Sequence, residues 1–118
     1  MDQTELKNRT KLFAQRVVRL CRCLPENSEG RLIGNQIFRS ATSVAANYRA
    51  ACRARSTAEF VAKLGIVEEE ADETLFWLEM IVDLQILDKE LLAPLMQEND
   101  EIIAITVSTI KSTRKNMP

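Results

Sequence analysis

At 118 residues, with hydrophobic residues at 46% and charged residues at 28%, the chain suits one domain with its own core and a mixed-sign surface. Three glycines and three prolines are too few for a turn-rich β-sandwich or barrel, and no apolar run approaches the roughly 18 residues of a membrane span. The net charge is −1 and there is no histidine, which removes Ser-His-Asp and Cys-His catalysis, His-containing zinc sites and the Glu-x-x-His ligands of di-iron bundles.

The first helix is expected from about Thr4 to Leu24, with Leu6, Phe13, Val17, Leu20 and Leu24 as a narrow core stripe. This start is amphipathic and Arg-rich, as transit peptides are. Asp2, Glu5 and the strong helical period favour mature fold and a cytoplasmic protein. Pro25 to Gly30 reads as a loop. The second helix is expected from about Arg31 to Ala54, its core stripe being Ile33, Ile37, Ala41, Val44, Tyr48 and Ala51. Ser56, with Glu59 three residues on, predicts a capped third helix reaching about Leu84, with Phe60, Leu64, Val67, Ala71, Leu75, Leu78 and Val82 inward. The fourth is expected from near Asp88 to Lys111 or Arg114, with Leu91, Leu95, Ile102, Thr106 and Ile110 inward. Pro94 predicts a kink or a delayed start, and Lys115 to Pro118 a frayed tail. Four such helices joined by short loops make an all-α, antiparallel up-down-up-down four-helix bundle over residues 1–118, about 30 Å long.

Charge is unevenly laid out. Residues 1–59 carry 11 Lys/Arg against 5 Asp/Glu, a net of +6, and residues 60–118 carry 5 against 12, a net of −7. Such asymmetry suits pairing between the halves, between subunits, or with a polyanion. On the first helix Arg9, Lys11, Arg16, Arg19 and Arg22 lie opposite the core stripe. Arg31, Arg39, Arg49 and Arg53 follow on the second and Arg55 in the next turn. This is a footprint for phosphate backbones, read by charge because no aromatic side chain is interleaved. An ordinary solvated face is the plain alternative.

Glu69-Glu70-x-x-Glu73 matches the magnesium-binding pattern of all-α nucleotide pyrophosphohydrolases, which need a second carboxylate pair. Glu79 with Asp83 is one residue too far apart, and Glu98 with Glu101 is the other candidate. A solvated or subunit-contacting face is the more economical reading, so neither a metal nor a cofactor is expected. Cys21 and Cys23 point about 200° apart on a helix and cannot clamp one ion; with Cys52 they read as reduced thiols. Ile66, Phe76, Trp77, Met80 and Leu84 form a second apolar stripe on the third helix, roughly opposite its core side. They predict a subunit interface and hence a homo-oligomer. Gln36, Ser40, Ser43 and Asn47 form a polar ridge on the second helix, suited to interhelical hydrogen bonds that set register.

The run Gln36-Ile37-Phe38-Arg39-Ser40-Ala41-Thr42-Ser43-Val44-Ala45-Ala46-Asn47-Tyr48 resembles the four-helix bundle family encoded by intervening sequences in bacterial 23S rRNA genes, with Gln36, Arg39, Ala41, Ser43 and Asn47 as the matching positions. The capped start Arg55-Ser56-x-x-Glu59-Phe60-Val61-x-Lys63-Leu64 and the segment Glu73-Thr74-Leu75-Phe76-Trp77-Leu78-Glu79 extend the resemblance over most of the chain. The resemblance implies an antiparallel bundle that assembles as a ring-shaped homopentamer. A related group, the accessory proteins of diversity-generating retroelements, binds a reverse transcriptase and nucleic acid through a basic surface. By that analogy the expectation is a non-enzymatic protein that binds RNA or a nucleoprotein partner, with Arg9, Lys11, Arg16, Arg19 and Arg22 on phosphates and Arg39 and Arg53 in support. A protein-interaction scaffold with no nucleic-acid role is the alternative, and a Mg²⁺-dependent hydrolase a distant third.

Overall fold

The computed structural model describes all 118 residues as four helices: α1 (Gln3–Cys21), α2 (Ser28–Cys52), α3 (Thr57–Asp83) and α4 (Lys89–Lys115). Each helix packs on the next in the chain and α4 closes back on α1. The backbones of the diagonal pairs do not approach each other. With loops of only a few residues this is the antiparallel up-down-up-down bundle. It measures 51 × 22 × 20 Å, well beyond the expected length, because α2, α3 and α4 run to 25, 27 and 27 residues.

Side chains open three of the helices. Asp2 Oδ1 accepts from Glu5 N–H at 2.8 Å, Asn27 Oδ1 from Gly30 N–H at 2.9 Å, and Ser56 Oγ from Glu59 N–H at 3.1 Å. The Asn27 cap starts α2 three residues before the expected Arg31. Glu59 returns its carboxylate to the Arg55 N–H at 3.1 Å, one residue before the cap, so the capping box is closed with an offset. α4 starts at Lys89 and runs unbroken through Pro94. The start is therefore not delayed, and the proline removes one donor, to the Glu90 carbonyl.

The core repeats every 3.5 residues. Leu6, Thr10, Phe13, Val17 and Leu20 on α1, continued by Leu24 just beyond its end, are spaced alternately four and three apart. So are Leu64, Val67, Ala71, Thr74, Leu78 and Ile81 on α3, and Leu92, Leu95, Asn99, Ile102 and Thr106 on α4. A wheel drawn at 3.6 residues per turn drifts against this seam. That drift corrects three assignments: Leu91 is 55% exposed and Leu92 is buried in its place, while Leu75 and Val82 are only half-buried beside Thr74 and Ile81. Phe60 is likewise half-buried, with Val61 taking the interior.

Polar groups occupy several seam positions. Thr74 Oγ1 lies 2.8 Å from Ser40 Oγ, tying α3 to α2. Asn99 donates to the Ala71 carbonyl at 3.0 Å, tying α4 to α3, while its Oδ1 is buried without a partner. A polar residue in a seam costs stability and selects one register.

α3 ends with its last carbonyls closed by two bonds: Ile86 N–H to the Ile81 carbonyl at 3.0 Å and Gln85 N–H to the Val82 carbonyl at 2.9 Å. This closure needs a left-handed residue, and Gln85 supplies it at φ 57°. A side chain there costs about 1–2 kcal/mol that glycine avoids. Gln85→Gly is expected to raise stability by about 1 kcal/mol, read as a higher urea midpoint at unchanged slope.

Candidate nucleic-acid interface

The cations of the first half of the chain divide into two sets. Arg9, half-buried on α1, clamps α4: its Nε donates to Glu98 Oε2 at 2.9 Å, and Nη2 reaches both Glu98 and Glu101, the latter at 3.2 Å. Arg39 on α2 clamps α3, with Nη1 3.0 Å from Glu70 and Nη2 on Glu73. These carboxylates hold both guanidiniums above their ordinary range, Glu98 acting most on Arg9 and Glu73 on Arg39. Glu101 is lowered, first by the Gln97 amide and then by Arg9. Part of the charge asymmetry is thus satisfied inside the chain, first half to second half. Arg9 and Arg39, expected on phosphates, are occupied by carboxylates.

The same pairs bear on the magnesium pattern. Glu70 and Glu73 lie on the α2–α3 seam under Arg39, and Glu98 and Glu101 on the α1–α4 seam under Arg9. Those seams are opposite sides of the bundle, so the two carboxylate pairs do not converge on one cation.

The other expected cations make no ion pair. Lys11, Arg19 and Arg22 line a groove of about 380 Å³ between α1 and α2, over Ala14, Val18, Thr42 and Ala45. No carboxylate faces it. Arg19 also joins Arg16 on the other flank of α1, in a groove of about 330 Å³ against Leu91, Pro94 and Leu95. Between α2 and α3, Arg49, Arg53, Arg55 and Lys63 surround a third groove of about 480 Å³ over Ala46 and Ala50. Its one carboxylate, Glu59, is engaged at the cap. Small residues lower the α2 surface on both sides, so a polyanion can approach the backbone between the long cationic side chains.

Two residues outside the expected set join this face. Lys63 comes from α3, and helix spacing alone does not place it beside Arg53. Phe38 is 48% exposed and lines a further groove, of about 280 Å³, with Arg22, Arg31, Gly34 and Asn35. The expectation that no aromatic side chain is interleaved with the cations is therefore corrected: on the α1 wheel alone Phe38 is invisible, and the packing of α2 brings it beside Arg22.

The polar ridge works mostly within α2. Asn47 Nδ2 donates to the Ser43 carbonyl at 2.9 Å and lies 2.8 Å from Ser43 Oγ, and Gln36 is half-buried. Only Ser40 bonds across helices. The second apolar stripe lies on the outer and α2-facing sides of α3. Phe76 (49%) and Leu84 (45%) are exposed, whereas Ile66, Trp77 and Met80 are half-buried. Trp77 packs against the core, meets Phe76 edge to face at 4.9 Å between ring centres, and directs Nε1 to Glu73 at 3.4 Å. It is less open than its wheel position implies. Burial pushes the Cys21 thiol and the Tyr48 hydroxyl up, Tyr48 further through Cys52, so neither group is primed to ionise. No helix is long and apolar enough to cross a membrane.

Residues 2–108 match the family model described as 23S rRNA-intervening sequence protein. No curated protein matches the chain. Among solved structures, the chain is similar to a protein of unknown function from the S23 ribosomal protein family of Bacteroides thetaiotaomicron. The two share 34% identity at a TM-score of 0.87, over 94% of this chain and 99% of that one.

Proposed function

The chain belongs to the 23S rRNA-intervening sequence protein family, and on that footing we propose that it is a non-enzymatic, oligomeric, cytoplasmic protein that binds RNA, or a nucleoprotein partner, through its basic face. The observation that carries this reading is the division of the cations. Arg9 and Arg39 are consumed by carboxylates, whereas Lys11, Arg16, Arg19, Arg22 and Arg53 are collected around grooves and left without ion pairs. Unpaired cations over a low, small-residue surface are what phosphate oxygens need.

The outer side of α3 supports the oligomer. Phe76 occupies the position of the 3.5-residue repeat that points directly away from the bundle, where it contributes nothing to the core, and a second copy is the occupant proposed for it. A ring of five, as the family resemblance implies, would repeat the basic face and make weak phosphate contacts multivalent. The same exposed aromatic favours the second reading, a protein-interaction scaffold without nucleic acid.

Sedimentation velocity with and without a structured RNA separates the two readings. The protein is expected to run at a multiple of 13.4 kDa and to carry the RNA with it at about 50 mM salt. An oligomer that leaves the RNA boundary unmoved selects the scaffold, and a 13.4 kDa monomer removes the assembly.

A further inference from the structure

We infer that the groove between the end of α1 and the start of α2 takes one unpaired nucleotide of an RNA strand, its base stacked on Phe38 and its phosphates held by Arg22 and Arg31. The inference rests on the RNA-binding reading and deepens it, because it adds to the charge-read face one contact that only a single-stranded RNA segment can make.

Three observations converge. Phe38 is an aromatic ring left 48% exposed beside Arg22 and Arg31, at an outward position of α2 that a polar residue could fill at no loss to the core. It lines the groove together with Leu24, Pro25 and Gly34, small or apolar walls against which a flat base can lie. The remaining walls are chemically divided. Arg22 and Arg31 make no ion pair and offer guanidiniums to phosphates, while Asn35 and Glu26 offer an amide and a carboxylate that can meet the polar edge of a base. Arg22 lines this groove and the neighbouring one with Lys11 and Arg19, so a strand leaving the Phe38 groove passes onto further cations without crossing a carboxylate. Stacking on an aromatic ring requires an unstacked base, which a duplex does not present.

The test uses fluorescence anisotropy of two labelled RNAs, an unstructured 12-mer and a duplex of the same length, against the full chain and its Phe38→Ala and Phe38→Trp variants. Phe38→Ala is expected to weaken the single strand by roughly 5- to 150-fold, the range for loss of one base stack, and to leave its salt dependence unchanged, because no charge has been removed. Phe38→Trp is expected to restore or exceed the original affinity, and the duplex is expected to be indifferent to both. Arg22→Gln with Arg31→Gln is expected to reduce the salt slope for the single strand by about 1.4. Single-strand affinity unchanged in Phe38→Ala, or equal losses for strand and duplex, would overturn the inference while leaving RNA binding by the basic face in place. Binding of neither RNA by the unaltered protein would overturn both.

Discussion

Gly30→Ala is expected to destabilise the protein by about 3 kcal/mol or more, the largest effect among the three glycine-to-alanine changes. A Cβ at Gly30 would lie 1.9 Å from the Pro25 carbonyl oxygen and 2.9 Å from its carbon. The obstacle is backbone, held by Pro25 on one side and by the Asn27 cap on the other, so no side chain can swing aside. The loop must open or α2 must lose its first turn. The gain in helix propensity from glycine to alanine, about 1 kcal/mol, is too small to offset this. Gly65 supplies the control. A Cβ there meets nothing within 4 Å, and Gly65→Ala in the middle of α3 is expected to stabilise by about 0.5–1 kcal/mol. Urea denaturation of the two variants should therefore give shifts of opposite sign. A mild effect at Gly30 would mean that the α1–α2 connection is not packed as described.

Reversing Arg16 and Arg19 to Glu is expected to reduce RNA affinity by roughly 100-fold near physiological salt, with helical content and urea midpoint unchanged. Neither residue makes an ion pair, so no carboxylate is stranded by the change. Arg19 lines the grooves on both flanks of α1, and a glutamate there repels a phosphate in either. Reversing Arg9 instead would place a carboxylate against Glu98 and Glu101 and weaken the α1–α4 seam. It would therefore report on stability rather than on binding. The two reversals should therefore separate: loss of RNA affinity at unchanged stability for Arg16 and Arg19, loss of stability for Arg9.

The four helices, their order and most of their interior were legible in the sequence because apolar periodicity and punctuation agree: Pro25 ends α1, Ser56 with Glu59 starts α3, and the α1 and α2 stripes are the buried ones. What was missed follows from one geometrical cause. The helices keep a 3.5-residue seam, so assignments made at 3.6 slip by one residue near helix ends, exchanging Leu92 for Leu91 at the start of α4 and Ile81 for Val82 at the end of α3. Thr74 and Asn99 were overlooked because they are polar; only their seam spacing identifies them as interior. The site was less legible than the fold. Composition revealed the basic half, but which arginines are spent on carboxylates depends on how α4 packs on α1 and α3 on α2. Nothing in the local sequence of Arg9 or Arg39 distinguishes them from Arg19. Lys63 and Phe38 join the face only through packing between helices.

The measurement that bears most directly on the central claim, that unpaired cations on this surface hold RNA phosphates, is the affinity of the intact protein for a structured RNA across a salt series from about 50 to 200 mM. A linear fall of log Kobs with log salt is expected, with a slope of about −3 to −5 for four to six phosphates per protomer. Absence of binding at 50 mM, or binding indifferent to salt, would contradict it.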